Sequence, residues 1–309
     1  MKRLLSKAKM LLWLIIYSPY YRMKYFKCKK ERVNFNVMDS NSTINYILEH
    51  KCSVSRFGDG ELAMIYHLMD SDGADNFYIK SFQSYDKSLA IRLREILTSS
   101  HVNHKVAIPY SIVSTEEYIG RERTFWERFV ILDMDRFKTL LNGEYTYLNS
   151  CFTRFYLHHK RKGIDKYVEN LKKIWCNKNI YIVEGANSRL GVGNDLFNGA
   201  RSIHRILCPS INAYGKYKQI LAEVIKCPND SLFLLALGHT ATVLAYDLSQ
   251  LGYWAIDIGH VDIEYEWYLM GCRDKKAVTG KYVNEIPEGR VLVECSDPIY
   301  QNQIVAVVE

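Results

Sequence analysis

From residue 179 onward the chain alternates short apolar runs with longer amphipathic ones. Asn179-Ile180-Tyr181-Ile182-Val183, Ile203 to Cys208, Ser231 to Leu237 and Trp254 to Ile258 each read as a strand. Helices fall between them at about Ala213 to Ile225 and Ala241 to Gln250, with a further helical segment around Asp195-Leu196-Phe197. Strands apolar on both faces and separated by helices predict a parallel sheet covered on both sides. The first half repeats the pattern less regularly. Residues 42–50 read as a helix, 52–57 as a strand, the apolar run from Leu62 to Tyr66 as the start of a helix, 86–99 as an amphipathic helix and 106–109 as a short strand. The charged, aromatic stretch 114–178 reads as mostly helical. The predicted fold is α/β, a Rossmann-like, mostly parallel sheet with helices on both faces. Ligands in such folds collect beyond the carboxyl ends of the strands.

The extreme N-terminus breaks this grammar. Residues 1–30 hold nine Lys or Arg and no acid, although the net charge of the whole chain is only +7. Without them the body carries slightly more acids than bases. A body lacking a basic footprint argues against a nucleic-acid partner. Within the basic segment, Met10-Leu11-Leu12-Trp13-Leu14-Ile15-Ile16-Tyr17 is too short to span a bilayer and lacks a small-residue cleavage site after it. It fits a segment lying on an anionic membrane surface; the alternative is a first helix packed on the body. Residues 1–35 are therefore set apart as a basic, aromatic membrane-surface segment, and 36–309 as one domain. The eight cysteines show no C-x-x-C pair, so neither a zinc site nor a disulfide framework is suggested and a reducing, cytoplasmic compartment is expected.

Chemistry concentrates in the loops after predicted strands. In Ser55-Arg56-Phe57-Gly58-Asp59-Gly60-Glu61, glycines flank Asp59 and a helix follows Glu61. A tight turn there brings two carboxylates to one point, an all-oxygen set suited to Mg²⁺ or Mn²⁺ shared with substrate phosphates. Glu184 to Asp195 contains Asn187, Arg189 and three glycines, but matches neither G-x-G-x-x-G nor a P-loop. Dinucleotide oxidoreductases and P-loop kinases are thereby weakened, while Arg189 could fork onto a phosphate. In Gly238-His239-Thr240, Thr240 is placed to cap the next helix, whose free N–H groups could meet an anion. Finally, His260-Val261-Asp262-Ile263-Glu264-Tyr265-Glu266-Trp267, if extended, puts His260, Asp262, Glu264 and Glu266 on one face. Such crowding suits a metal, a proton or a hydroxylated ligand and can shift a carboxylate toward general-base work.

Together these segments resemble the GT-D type glycosyltransferases, a bacterial family. The matching residues are Arg56 to Glu61, Val183-Glu184-Gly185 with Ser188 to Leu196, Leu237-Gly238 with Thr240 to Leu248, Asp257 to Trp267, and Gly280 to Glu285. The match covers about 40–290 and departs at His239, where relatives carry Pro. The resemblance implies a Rossmann-like fold, a nucleoside-diphosphate sugar donor, typically UDP-linked, and a divalent cation (Mn²⁺ or Mg²⁺) on Asp59 and Glu61. Arg56, Phe57, Gly58, Gly60, Asn187, Arg189, Gly238 and Thr240 are assigned to the nucleotide site. Acceptor activation is assigned to the acidic segment, with Glu266 or Asp262 as base, His260 as orienting partner and Glu264 beside them. The expected acceptor is a glycan or lipid-linked oligosaccharide at the cytoplasmic face of a bacterial membrane, in surface polysaccharide synthesis. Alternatives are another nucleotide-dependent transferase on the same fold, or a non-catalytic, membrane-bound scaffold.

Overall fold

The computed structural model describes residues 16–28, 35–70, 82–157, 159–160, 162–283, 285–290 and 295–309. Residues 1–15 and 29–34 of the basic segment lie outside them. In chain order the helices are α1 (16–28), α2 (Ser40–His50), α3 (Asp59–Met69), α4 (Lys87–Leu97), α5 (Gly120–Leu140), α6 (Ile164–Lys172), α7 (Tyr217–Val224), α8 (His239–Gln250), α9 (Val261–Leu269) and α10 (Pro298–Gln303). The strands are β1 (Asn36–Val37), β2 (Ser53–Arg56), β3 (His104–Ile108), β4 (Thr146–Asn149), β5 (Asn179–Gly185), β6 (Ser202–Cys208), β7 (Leu232–Ala236), β8 (Trp254–Asp257) and β9 (Ile304–Val307).

Among the described residues these strands form one sheet in the order β1-β4-β3-β2-β8-β7-β5-β6-β9. Every pairing is parallel. Alternation along β7 shows why its apolar run is continuous. Leu232 and Leu234 enter a core with Ile44 and Ile47 of α2 and Val54 of β2, while Phe233 and Leu235 enter another with Ile220 of α7 and Leu244 of α8. Both faces are covered, and each wholly buried side chain of this size contributes roughly 1.5–3 kcal/mol. A third core packs Leu89 and Leu93 of α4 against Val130 and Phe137 of α5.

β5 continues to β6 on one side and β7 to β8 on the other, so their connections diverge above the β5/β7 pair. A crevice opens at such a place, at the carboxyl ends of the strands. The β2/β8 seam extends it: Val54 pairs Ile256, and the chain after each strand turns into the same cleft.

Three local expectations are corrected. The stretch 114–178 contains β4, an interior strand between β1 and β3, besides helices α5 and α6. Residues 195–197 form turns rather than a helix; Asn194 Oδ1 accepts from Leu196 N at 3.0 Å and diverts the backbone. The segment from Val261 is helical, not extended. The face expected to hold four ionisable groups is therefore split: Asp262 and Glu266, one turn apart, share a side, and Glu264 points elsewhere.

Candidate active site

β2 ends at Arg56, and Phe57 still bonds in register with the sheet, its N–H donating to Ala107 O at 2.8 Å. Phe57 is wholly buried and packs in the core rather than in the cleft. Gly58 is the N-cap of α3, so Asp59 and Glu61 occupy its first turn. Glu61 Oε2 accepts the Gly58 N–H at 2.8 Å, which satisfies the backbone at the N-cap and fixes the carboxylate. Both carboxylates face the positive end of the helix dipole and line a cleft of about 560 Å³. Burial, and next to it the charge of Glu61, push the Asp59 carboxyl up to about 6, against the pull of Arg154.

Arg56 joins the loop to its neighbours. Its Nε lies 3.2 Å from Asp257 Oδ1 of β8, and its Nη1 donates to Ser150 O at 2.9 Å and Thr153 Oγ1 at 2.6 Å. Arg56 lines the cleft, but much of its guanidinium serves the fold. Gly259 makes this possible: its φ is +45°, and a Cβ there would stand 1.8 Å from Arg56 Nη2. Burial lifts the Asp257 carboxyl to about 6, with Arg56 opposing and Glu61 reinforcing the shift.

α8 is sewn to β2 by Ser55 Oγ donating to Thr242 O at 2.6 Å and Thr242 Oγ1 donating to Arg56 O at 3.0 Å. Its N-cap is Gly238, with φ +54°, so the expected Thr240 cap does not form. Thr240 lies inside the first turn, wholly buried. Instead, His239 is set against Glu61, its Nδ1 3.9 Å from Glu61 Oε1 and its ring 5.4 Å from that of Phe82.

The loop after β5 is braced from below. Glu184 pairs with Arg205 and accepts the Leu190 N–H at 2.8 Å, while Arg205 Nη2 donates to Leu190 O at 2.9 Å. Arg189 Nη1 donates to Gly280 O at 2.7 Å, and Asn187 O accepts from Tyr282 N at 3.0 Å. Both expected nucleotide contacts thus hold the C-terminal segment, and Ser188, between them, faces the cleft. Gly58, Gly60 and Gly238, also assigned to the nucleotide site from sequence, line the cleft.

The acidic segment divides by helix geometry. Asp262 is 1% exposed and takes Lys281 Nζ at 2.7 Å, Gly191 N at 2.8 Å and Asn194 Nδ2 at 2.8 Å. Glu266 takes the same Lys281 at 2.8 Å and Asn194 at 2.7 Å, and lies outside the cleft lining. Glu264 accepts from Tyr156 N at 3.2 Å and Leu157 N at 2.9 Å; burial lifts its carboxyl to about 7 despite Arg154. His260 lies 3.8 Å from Glu285, which also holds Arg154 and Lys275. Burial works against the Glu285 charge, but Arg154, His260 and Lys275 outweigh it and hold the carboxyl well below its usual range.

Asp257, Glu122, Arg154, Lys275 and Glu285 also line the cleft and were not among the candidates from sequence. Isolated charges in unremarkable contexts, they have no local signal; only the coincidence of Asp257 and Glu285 with the matched segments pointed toward two of them. Carboxylates outnumber guanidinium and ammonium groups in the lining by seven to three, so the cleft favours a cation. Among the described residues no group of three His, Cys, Asp or Glu forms a complete metal site. Asp59 and Glu61 fit a hard divalent ion that keeps water and takes further oxygens from a diphosphate.

The chain as a whole resembles known glycosyltransferases. The chain is 38% identical to the probable glycosyl transferase Gly of Streptococcus gordonii over 279 residues, 89% of this chain and 39% of that protein. It is 35% identical to the glycosyltransferase GlyD of Streptococcus pneumoniae over 268 residues, 86% of this chain and 32% of that protein. It thus spans less than two-fifths of the length of these curated relatives. A solved structure of the highly conserved domain of unknown function 1792, described as a distinct glycosyltransferase fold, superposes with a TM-score of 0.83 at 36% identity, covering 92% of this chain and all of that one. Another, described as a new glycosyltransferase from Streptococcus sanguinis, gives 0.80 at 36% identity, covering 89% of this chain and all of that one. Residues 54–286 match the family model for the glycosyltransferase GT-D fold, and the chain belongs to that family.

Proposed function

We propose that this chain moves a sugar from a nucleoside-diphosphate donor, with UDP as the nucleotide, to a hydroxyl of a glycan acceptor, using a divalent cation held by Asp59 and Glu61. The observation that carries the reading is the pair of carboxylates on the first turn of α3, facing an acid-rich cleft at the carboxyl ends of the strands. A bound cation would offset the negative charge that develops on the departing diphosphate. Gly58, Gly60 and Gly238 leave room in the cleft wall beside it, and Arg56 fixes the spacing between the metal loop and β8.

For the acceptor proton, the geometry favours His260 over the other candidates. Asp262 and Glu266 are both engaged by Lys281, and Glu264 braces the 156–157 backbone. His260 lines the cleft beside the ionised Glu285, which can orient the ring and stabilise its protonated form, as in other carboxylate–histidine pairs. Exchanging His260 for Asn is expected to lower turnover by roughly 10²–10⁴-fold, the usual worth of a general base, with UDP affinity unchanged. Equal losses in both would make the residue a donor-binding group instead.

Titration calorimetry of UDP with and without Mn²⁺ tests the donor assignment. Binding is expected only with the metal, and its pH dependence has a definite sign. A carboxylate must lose its proton to ligate, so with Asp59 at about 6 the affinity is level above neutrality and weakens as pH falls through that value. Equal affinity at pH 5 and pH 7.5 would remove Asp59 from the ligand set.

A further inference from the structure

Helix α1 has an inverted surface. At 100° per residue, Tyr25 and the half-buried Ser18, Tyr21 and Cys28 form the side turned to the body. Tyr25 is 2% exposed and donates through its hydroxyl to Ser111 O at 2.8 Å; Arg22 Nε lies 3.6 Å from Glu127 of α5. The opposite side, polar in an ordinary surface helix, presents Ile16, Tyr20 and Met23, which are 57%, 45% and 66% exposed. Tyr17 and Phe26 flank this stripe, also exposed, and Lys24 and Lys27 stand among them. The Lys24 ammonium lies 4.7 Å above the Tyr20 ring.

We propose that this outer face of α1 docks on a lipid bilayer rich in anionic headgroups. Apolar and aromatic side chains with lysines at their margin suit the boundary between acyl chains and headgroups, where the chains bury and the ammonium groups meet phosphate. Charge selects this occupant over a second copy of the chain. The face itself carries Lys24 and Lys27, and the sequence of residues 1–30 has nine basic side chains and no acid, so a second copy of this segment brings only like charge, whereas an anionic leaflet attracts it. No described helix is long and apolar enough to cross a membrane, so α1 lies on the surface. The packing on α5 adds a spatial consequence. Glu122, Phe125 and Trp126, on the first turns of α5, wall the cleft, so a membrane-held α1 ties one wall of that cleft to the lipid surface.

The proposal stands apart from the donor assignment and is tested without turnover. The full chain is sedimented with vesicles of phosphatidylcholine alone and with added phosphatidylglycerol, at low and high salt. Binding is expected only to the anionic vesicles and is weakened by salt. The double exchange Tyr20→Glu with Met23→Glu should cut it at least tenfold while leaving circular dichroism unchanged, and Lys24→Glu with Lys27→Glu should remove the preference for phosphatidylglycerol. A full chain that stays in solution with both vesicle types would overturn the proposal, as would a Tyr20/Met23 variant that sediments like the parent. A dimer in light scattering that this variant dissolves would assign the face to a second copy instead.

Discussion

Exchanging Asp59 for Asn and Glu61 for Gln together is expected to abolish Mn²⁺-dependent UDP binding and to lower glycosyl transfer by more than 100-fold. Loss of a partner that merely orients a metal ligand costs about 10–100-fold in affinity, and loss of the ligands themselves costs more. The exchanges are chosen to leave the fold intact. The Gln amide oxygen can still accept the Gly58 N–H, so this bond at the start of α3 survives. Asp59 gives a sharper control. Its folded carboxyl, at about 6, lies above the unfolded value of about 3.9, so the native state binds its proton more tightly and loses stability as pH rises through that interval. Near neutrality the ionised Asp59 is therefore a burden on the unliganded protein, and the Asn variant should unfold at a higher temperature than the parent. Loss of binding together with a raised Tm identifies a ligand placed at the expense of stability. Intact UDP binding in the double variant would refute the metal assignment.

The second large effect concerns stability. Exchanging Lys281 for Met is expected to cost about 3–5 kcal/mol, because it leaves Asp262 and Glu266 without their cation in a site where Lys281 is 5% exposed. Urea unfolding reads the loss as a lower midpoint at unchanged slope. Replacing Asp262 and Glu266 by Leu in the same variant should recover most of it, since a buried ionic cluster and a packed apolar one are often close in stability. A loss below about 1 kcal/mol, the value of an exposed ion pair, would mean that water reaches the cluster.

The regular half of the sheet was legible because β5, β7 and β8 are short apolar runs that no amphipathic helix would carry. β4 was not: Thr146-Tyr147-Leu148-Asn149 is brief, and its place between β1 and β3 comes from tertiary pairing. The acidic segment misled because its strict alternation of apolar and ionisable residues is the signature of a strand. It is a helix because acids on different sides each find a cation from another part of the fold, the buried Lys281 for Asp262 and the half-buried Arg154 for Glu264. Those partners come from residues 154 and 281, and no local pattern announces them. The Asp59–Glu61 pair could be found from sequence because glycines, strand end and helix start are contiguous. The ion pair between Arg56 and Asp257 could not be.

That last pairing bears on how the protein is made. β2 finds its central neighbour only in β8, about two hundred residues later, and the loop bearing Asp59 and Glu61 is fixed through Arg56 to the carboxylate at the end of that strand. A chain emerging from the ribosome can assemble β2, β3 and β4 early, yet the free backbone edge of β2 stays open until nearly five-sixths of the sequence has appeared. Nascent and truncated forms ending before β8 are therefore the species most prone to aggregate and to need chaperones, and the cleft is completed late in synthesis rather than with the segment that carries Asp59 and Glu61.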